Sequence, residues 1–210
     1  MKPLLPIAYL PPVSWIAAAL KFQDISLELF ETYPKQTIRN RCIIATANGP
    51  LNLTVPVIKI NGNHTQTRDI VVDNSRNWQQ LHWRSITTAY NKSPFFLYYR
   101  DSFETLYRKK YETLVNLNQE FLDTLFTALN IKTIKTDYTK DYISSPEQID
   151  FRNRFNSKHE SYQHIIKSLP RYMQVFEDIN GFIPDMSVID LLFNLGPDST
   201  SYLLNLELTN

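Results

Sequence analysis

The 210 residues carry 22 Lys and Arg against 21 Asp and Glu, a net charge of +1, so no overall field attracts nucleic acid or an anionic membrane. Four glycines stand against 12 prolines, and Gly49, Gly62, Gly181 and Gly196 are too scattered for a G-x-G-x-x-G fingerprint or a phosphate loop, whose backbones need closely spaced residues without a Cβ. The lone Cys42 excludes an intramolecular disulfide and every Cys-pair zinc motif, and it suits a reducing compartment.

The chain opens on an apolar run, Leu4 to Leu10, interrupted by Pro6 and closed by Pro11 and Pro12, which favour a turn or a first helical position. Ser14 to Lys21 reads as a short helix. The apolar stretch Val13 to Leu20 is shorter than the roughly 18 residues a membrane span needs, and Lys2, Pro3 and Pro6 do not resemble a secretory leader, so the reading is cytoplasmic with no transmembrane segment. Alternation predicts strands over Ile25 to Leu29, Thr37 to Ala45 and Pro50 to Ile60. The last two are joined as an N-terminal β-hairpin at Asn48-Gly49, a dipeptide tolerant of positive φ. A polar loop, Asn61 to Thr67, precedes a short strand from Asp69 to Asp73.

From Asn77 the period changes toward that of a helix. Trp78, Leu81, Ile86 and Tyr90 form one stripe, and Ser93 and Pro94 are placed to open a second helix, the stripe continuing through Phe103, Leu106, Tyr107 and Tyr111. Leu114, Leu117, Phe121, Leu122, Leu125, Phe126 and Leu129 follow i, i+3, i+4 spacing, a helix whose broad apolar face belongs to the core. Ile131 to Tyr138 alternates like a strand reached by a crossover. Asp141 to Lys158 is polar and reads as loop. Ser187 to Asn194 is the final helix, with Ser187 and Asp190 in a capping-box-like spacing and Gly196-Pro197 as its stop. Interleaved strands and helices predict an α/β fold: a single domain over residues 1–210 with a mixed sheet, the N-terminal hairpin and a helical second half.

The densest polar cluster is Lys35-Gln36-Thr37-Ile38-Arg39-Asn40-Arg41. On a strand, Arg39 and Arg41 share one face, so two guanidiniums fork onto one carboxylate or phosphate; the alternative is a solvent-facing edge with its arginines paired to local acids. His82, in Leu81-His82-Trp83-Arg84, is either a general base tuned by aromatic walls or a hydrogen-bonded interior residue. His159 and His164 are five apart, which is not the i, i+4 spacing of helical zinc ligands, so no metal is expected. Cys42, flanked by Ile43 and Ile44, reads as buried and inert, and no G-x-S-x-G elbow offers a serine nucleophile.

Several stretches in order along the chain resemble the WbqC-like family: Ala8-Tyr9-Leu10-Pro11, Lys35 to Arg41, Leu53-Thr54-Val55-Pro56-Val57, His82-Trp83 with Ala89-Tyr90 and Ser93-Pro94-Phe95-Phe96, and Ser187 to Phe193. The resemblance implies a setting in O-antigen and other surface polysaccharide assembly, with a glycine, aminoacyl or sugar transfer onto a sugar nucleotide or lipid-linked sugar as the activity. The alternative is a non-catalytic sugar-binding or scaffold protein of the same pathway. It implies His82 as the catalytic residue and Arg39, Asn40, Arg41, Gln36, Tyr9 and Tyr90 as substrate-binding residues. It implies no cofactor and a small sugar or sugar nucleotide as partner; the balanced charge gives no nucleic-acid partner, and a homo-oligomer is a further partner reading. The chain departs from the family's opening at Pro6-Ile7, where many members carry Gln-Pro.

Overall fold

The computed structural model describes residues 2–144, 149–155 and 159–209. Part of the loop expected over 141–158, and the side chain of His159, lie outside them. Strand β1 (Leu4–Pro6) runs into helix α1 (Val13–Phe22), which returns the chain to β2 (Asp24–Glu28), parallel to β1 with Leu5 opposite Leu27. The hairpin β3 (Arg41–Thr46) and β4 (Gly49–Thr54) turns on Ala47 and Asn48, and Gly49 takes a φ of 93°. The strand expected to continue to Ile60 breaks at Val55-Pro56, because Pro56 has no amide hydrogen to give a ladder. It resumes as β5 (Val57–Lys59), which pairs antiparallel with β6 (Ile70–Val72).

Helices α2 (Trp78–Tyr90), α3 (Phe96–Tyr107) and α4 (Leu114–Ala128) follow. Thr113 caps α4, its Oγ1 accepting from the Asn116 amide at 3.2 Å. Helix α3 starts two residues later than Pro94 suggests, with Phe95 as its N-cap, and ends at Tyr107, so Tyr111 lies beyond it and its hydroxyl donates to the Leu106 carbonyl at 3.2 Å. Strand β7 (Lys135–Tyr138) then joins β2 in parallel, the crossover expected from sequence. Short α5 (Glu177–Asn180), α6 (Val188–Leu195) and α7 (Ser199–Leu204) complete the helical second half. Parallel and antiparallel pairing are both present, shared among three small sheets in the described residues.

Helix α1 is buried from Val13 to Leu20 because it packs on β2 on one side and on α6 and α7 on the other. Its apolar residues on all faces are therefore those of a core helix. One apolar cluster extends from Leu5 to Leu206. The amino end of α1 is capped from a distance: Asp185 accepts the Ser14 amide at 2.8 Å and the Ser14 hydroxyl at 2.9 Å. The capping box expected at Ser187 and Asp190 does not form. The Ser187 hydroxyl instead donates to the Leu10 carbonyl at 2.8 Å, and Asp190 turns inward to accept from the Tyr172 hydroxyl and Gln174 amide at 2.6 and 2.7 Å.

Candidate functional site

The loop that follows β2 starts at the carboxyl end of the parallel strands, where the Leu29 amide donates to Thr139 just past β7 at 3.0 Å, the end at which open parallel sheets take ligands. Four charged side chains are buried there: Glu28, Glu31, Arg39 and Arg152. Glu28 ends β2, and its Oε1 accepts from the Phe30 amide at 2.8 Å and the Thr139 hydroxyl at 3.0 Å. Its Oε2 meets Arg152 at 3.2 Å, and Arg152 in turn grips Asp150 through Nε and Nη2.

Arg39 is spent on a second pair. Its Nε donates to Glu31 Oε1 at 2.7 Å, Nη1 to Thr37 Oγ1 at 2.5 Å, and Nη2 to the Arg152 carbonyl at 3.4 Å. Burial pushes the Glu31 carboxyl above the usual carboxylate range, and the Arg39 guanidinium opposes that shift without cancelling it. The fork expected of Arg39 and Arg41 is not formed. Strand β3 begins only at Arg41, and Arg39 sits in the preceding turn, where its guanidinium is engaged by Glu31.

Arg41 is arranged differently. Its Nε is buried without a hydrogen-bond partner, and so is the Tyr33 hydroxyl. Burial raises the Tyr33 phenol well above its ordinary value, with Arg39 and Arg41 both close enough to pull it down. Lys59 completes the corner, its Nζ 5.1 Å from the Tyr33 ring centroid and 3.4 Å from the Tyr33 carbonyl. Among the described residues no carboxylate pairs with Arg41 or Lys59. Two cations thus lie near one tyrosine, and two buried polar atoms there, the Arg41 Nε and the Tyr33 hydroxyl, are unmet.

Asn40 supports this corner from behind. Its Nδ2 donates to the Val55 carbonyl at 2.8 Å and its carbonyl accepts the Val55 amide at 2.8 Å, stitching the strand break at Pro56. Gln36 is exposed at a φ of 50° in the loop that leads into the turn.

His82 lies inside the molecule on α2, and its Nδ1 is 2.9 Å from the Tyr9 hydroxyl, which is 2.6 Å from the Tyr107 hydroxyl. Rings of Tyr9, Trp78 and Tyr107 surround it. Burial lowers the imidazole to a pKa of about 4, against the smaller opposing effect of the Thr54 backbone, so the ring is neutral at pH 7. Thr54 is also the cross-strand partner of Arg41, so His82 and Arg41 meet the same residue of β4. Tyr90 belongs to another network: its hydroxyl accepts the Ala45 amide at 3.2 Å and faces Asp190, whose carboxyl burial raises despite hydrogen bonds from Tyr172, Gln174 and Tyr90.

The structure thus brings Arg41 and, through Thr54, His82 to one end of the hairpin, with Tyr9 behind His82, Arg39 engaged by Glu31, and Tyr90 at the opposite end beside Ala45. Sequence reasoning missed Glu28, Glu31, Tyr33, Lys59 and Arg152. Two carboxylates three apart where a strand gives way to a loop were the available signal for Glu28 and Glu31. Among the described residues, open clefts of about 800, 650 and 470 Å³ lie elsewhere, and none of these three is lined by Arg39, Arg41 or His82. Among the described residues no group of His, Cys, Asp and Glu is arranged to hold a metal ion, and no helix is long and apolar enough to cross a membrane.

The fold and site define an α/β protein with a buried charge network at the edge of a small parallel sheet. The chain belongs to the WbqC-like protein family, whose model matches residues 9–150, a span that takes in Tyr9, Arg41, Lys59, His82 and Asp150. It is also 25% identical over 193 residues to a Mycobacterium tuberculosis (strain ATCC 25618 / H37Rv) protein named uncharacterized protein Rv1507c, covering 81% of this chain and 83% of that one. No solved structure matches.

Proposed function

We propose that the protein is an enzyme of O-antigen or other surface polysaccharide assembly, a transferase of a glycine, aminoacyl or sugar group that takes a sugar nucleotide or lipid-linked sugar. Family membership supports the setting. The observation that carries the substrate class is that Arg41 and Lys59, both near Tyr33, have no carboxylate partner among the described residues, while the Arg41 Nε and the Tyr33 hydroxyl are buried and unmet. In this reading Arg41, Lys59 and Tyr33 hold a phosphate or carboxylate of the substrate, while Arg39, paired with Glu31, fixes the loop that carries Tyr33. Asn40 and Gln36 flank the anion, and Tyr90 anchors the far end of the hairpin. His82 is the proposed proton acceptor for the attacking amine or hydroxyl: its ring is neutral above about pH 4, and Tyr9 and Tyr107 offer the proton a way onward.

Isothermal titration with UDP-glucose, UDP-N-acetylglucosamine, UDP and inorganic phosphate tests the substrate class. The wild type is expected to bind at least one of the uridine ligands, and Arg41→Ala with Lys59→Ala to weaken that binding at least tenfold by removing two charge-assisted contacts. Absence of binding by the wild type, or binding indifferent to the double substitution, overturns the anion site.

A second reading, a non-catalytic sugar-binding or scaffold protein of the same pathway, is favoured by one observation: His82 is 5% exposed and lines none of the three clefts. Complementation of a deletion strain separates the two. A folded His82→Gln protein that restores the surface polysaccharide supports the scaffold, and one that fails supports the enzyme.

A further inference from the structure

The largest of the three clefts, about 800 Å³, lies between α3, α4 and the start of α7. Its chemistry is unlike that of the Tyr33 corner, because no lysine or arginine is among its lining residues and Asp123 supplies a carboxylate. A phosphate, an acidic lipid or a nucleic acid is therefore repelled from it.

Two adjacent tyrosines shape one wall. Tyr98 is 81% exposed, and its ring meets that of Tyr99 with centroids 4.8 Å apart and planes at 83°, so a floor and a wall stand at right angles. Tyr99 is 6% exposed and lines the cleft, yet its hydroxyl has no hydrogen-bond partner among the described residues. The side chains of Ser102, Asp123 and Asn130 are likewise uncommitted among those residues. On the α4 side the Thr124 and Thr127 hydroxyls donate to the Glu120 and Asp123 carbonyls at 2.9 and 2.8 Å, which leaves their lone pairs facing out as acceptors.

An open aromatic face beside a phenol, an amide, a carboxylate and several hydroxyls, with no cation, matches a ligand that is uncharged, rich in hydroxyls and apolar on one side. Those are the properties of a pyranose ring, whose C–H face packs on an aromatic plane while its hydroxyls take hydrogen bonds on the rim. We propose that this cleft binds an uncharged saccharide, with Tyr98 under the ring and Asp123, Asn130 and Tyr99 on its hydroxyls. The site is separate from the Tyr33 corner and does not rest on the sugar-nucleotide reading.

The test probes the full chain on an array of neutral and acidic oligosaccharides, then titrates the best neutral one. Neutral saccharides are expected to be retained. Tyr98→Ala and Asp123→Ala are each expected to weaken binding about tenfold, and Tyr98→Phe to keep it, since the aromatic face is what carries the contact. Arg41→Ala with Lys59→Ala leaves this binding unchanged, which separates it from the anion site. The exposure of Tyr98 makes loss of folding in its variants a minor risk, and a thermal melt checks it. Failure to retain any neutral saccharide, preference for acidic ones, or affinity unaffected by Tyr98→Ala overturns the proposal.

Discussion

Arg39 and Glu31 form an ion pair inside the protein, with Arg39 2% and Glu31 11% exposed along their side chains and Nη2 to Oε1 at 2.5 Å. Such a pair is a weak source of net stability but a costly one to break, because the survivor is left charged and alone. Arg39→Ala is therefore expected to lower unfolding free energy by about 3 to 5 kcal/mol, measured by urea denaturation. Replacing both partners by apolar residues, Arg39→Met with Glu31→Leu, is expected to recover most of that loss. Equal losses in the single and double variants contradict the pairing. Any ligand-binding defect of Arg39→Ala is read against this fold effect, whereas Arg41→Ala, which breaks no ion pair among the described residues, is not expected to unfold the protein.

His82 and Asp185 give stability opposite dependences on pH. His82 falls to about 4 in the folded protein from an ordinary 6.5, so the unfolded chain takes up a proton that the folded one refuses. Its contribution is complete above pH 6.5 and is lost as pH falls from 6.5 to 4. His82→Gln is expected to remove this slope, at most about 1.4 kcal/mol per pH unit, in thermal melts across that window. A melt series with the same acid slope as the wild type overturns the assignment of a buried, neutral ring.

Asp185 runs the other way, because burial raises its carboxyl from 3.8 to about 7 although both Ser14 hydrogen bonds favour the ionised form. Here the folded state binds the proton that the unfolded chain has released, so stability falls as pH rises from about 4 to 7 and levels off above. Asp185→Asn keeps an acceptor for the Ser14 amide and tolerates the φ of 54° at this position. Relative to wild type it is expected to gain stability steadily over that window and to plateau beyond pH 7. A flat difference between the two proteins contradicts the raised carboxyl.

What could be read from sequence and what could not divides along a physical line. Helices α2 and α4 were legible because their apolar spacing is a local property, α1 because Pro11 and Pro12 mark its start, and β7 because a crossover helix precedes it. The hairpin was legible at Asn48-Gly49 for the same reason. The site was legible only in part. Arg41 was singled out, but its neighbour Tyr33 comes from another loop and Lys59 from another sheet, and no periodicity links them. The choice of Glu31 over Arg41 as the partner region for Arg39 is a packing decision, as is the capping of α1 by a residue 171 positions away. The apolar flanks of Cys42 announced its burial, and burial carries its thiol far above the ordinary range, so the native protein is expected to resist thiol reagents until it unfolds.

Gly196 holds the end of α6 against the start of α3, and here the glycine is required on two counts. Its φ of 56° with ψ of −126° is a conformation that side chains resist, and an added Cβ would lie 2.5 Å from the Phe95 ring. The ring has little room to move, because the Phe95 amide donates to the Phe193 carbonyl at 3.0 Å and so fixes the backbone beside it. Gly196→Ala is expected to destabilise by about 3 kcal/mol or more, combining backbone strain with overpacking. Gly62→Ala, at a φ of 55° with nothing within 4 Å of the added carbon, supplies the comparison and is expected to lose only about 1 kcal/mol. Adding Phe95→Ala to Gly196→Ala would relieve the clash but leave the backbone strain. A smaller destabilisation by Gly196→Ala in the Phe95→Ala background than in the wild type, read from urea midpoints, would place part of the cost in the ring; equal effects in both backgrounds would place all of it in the backbone.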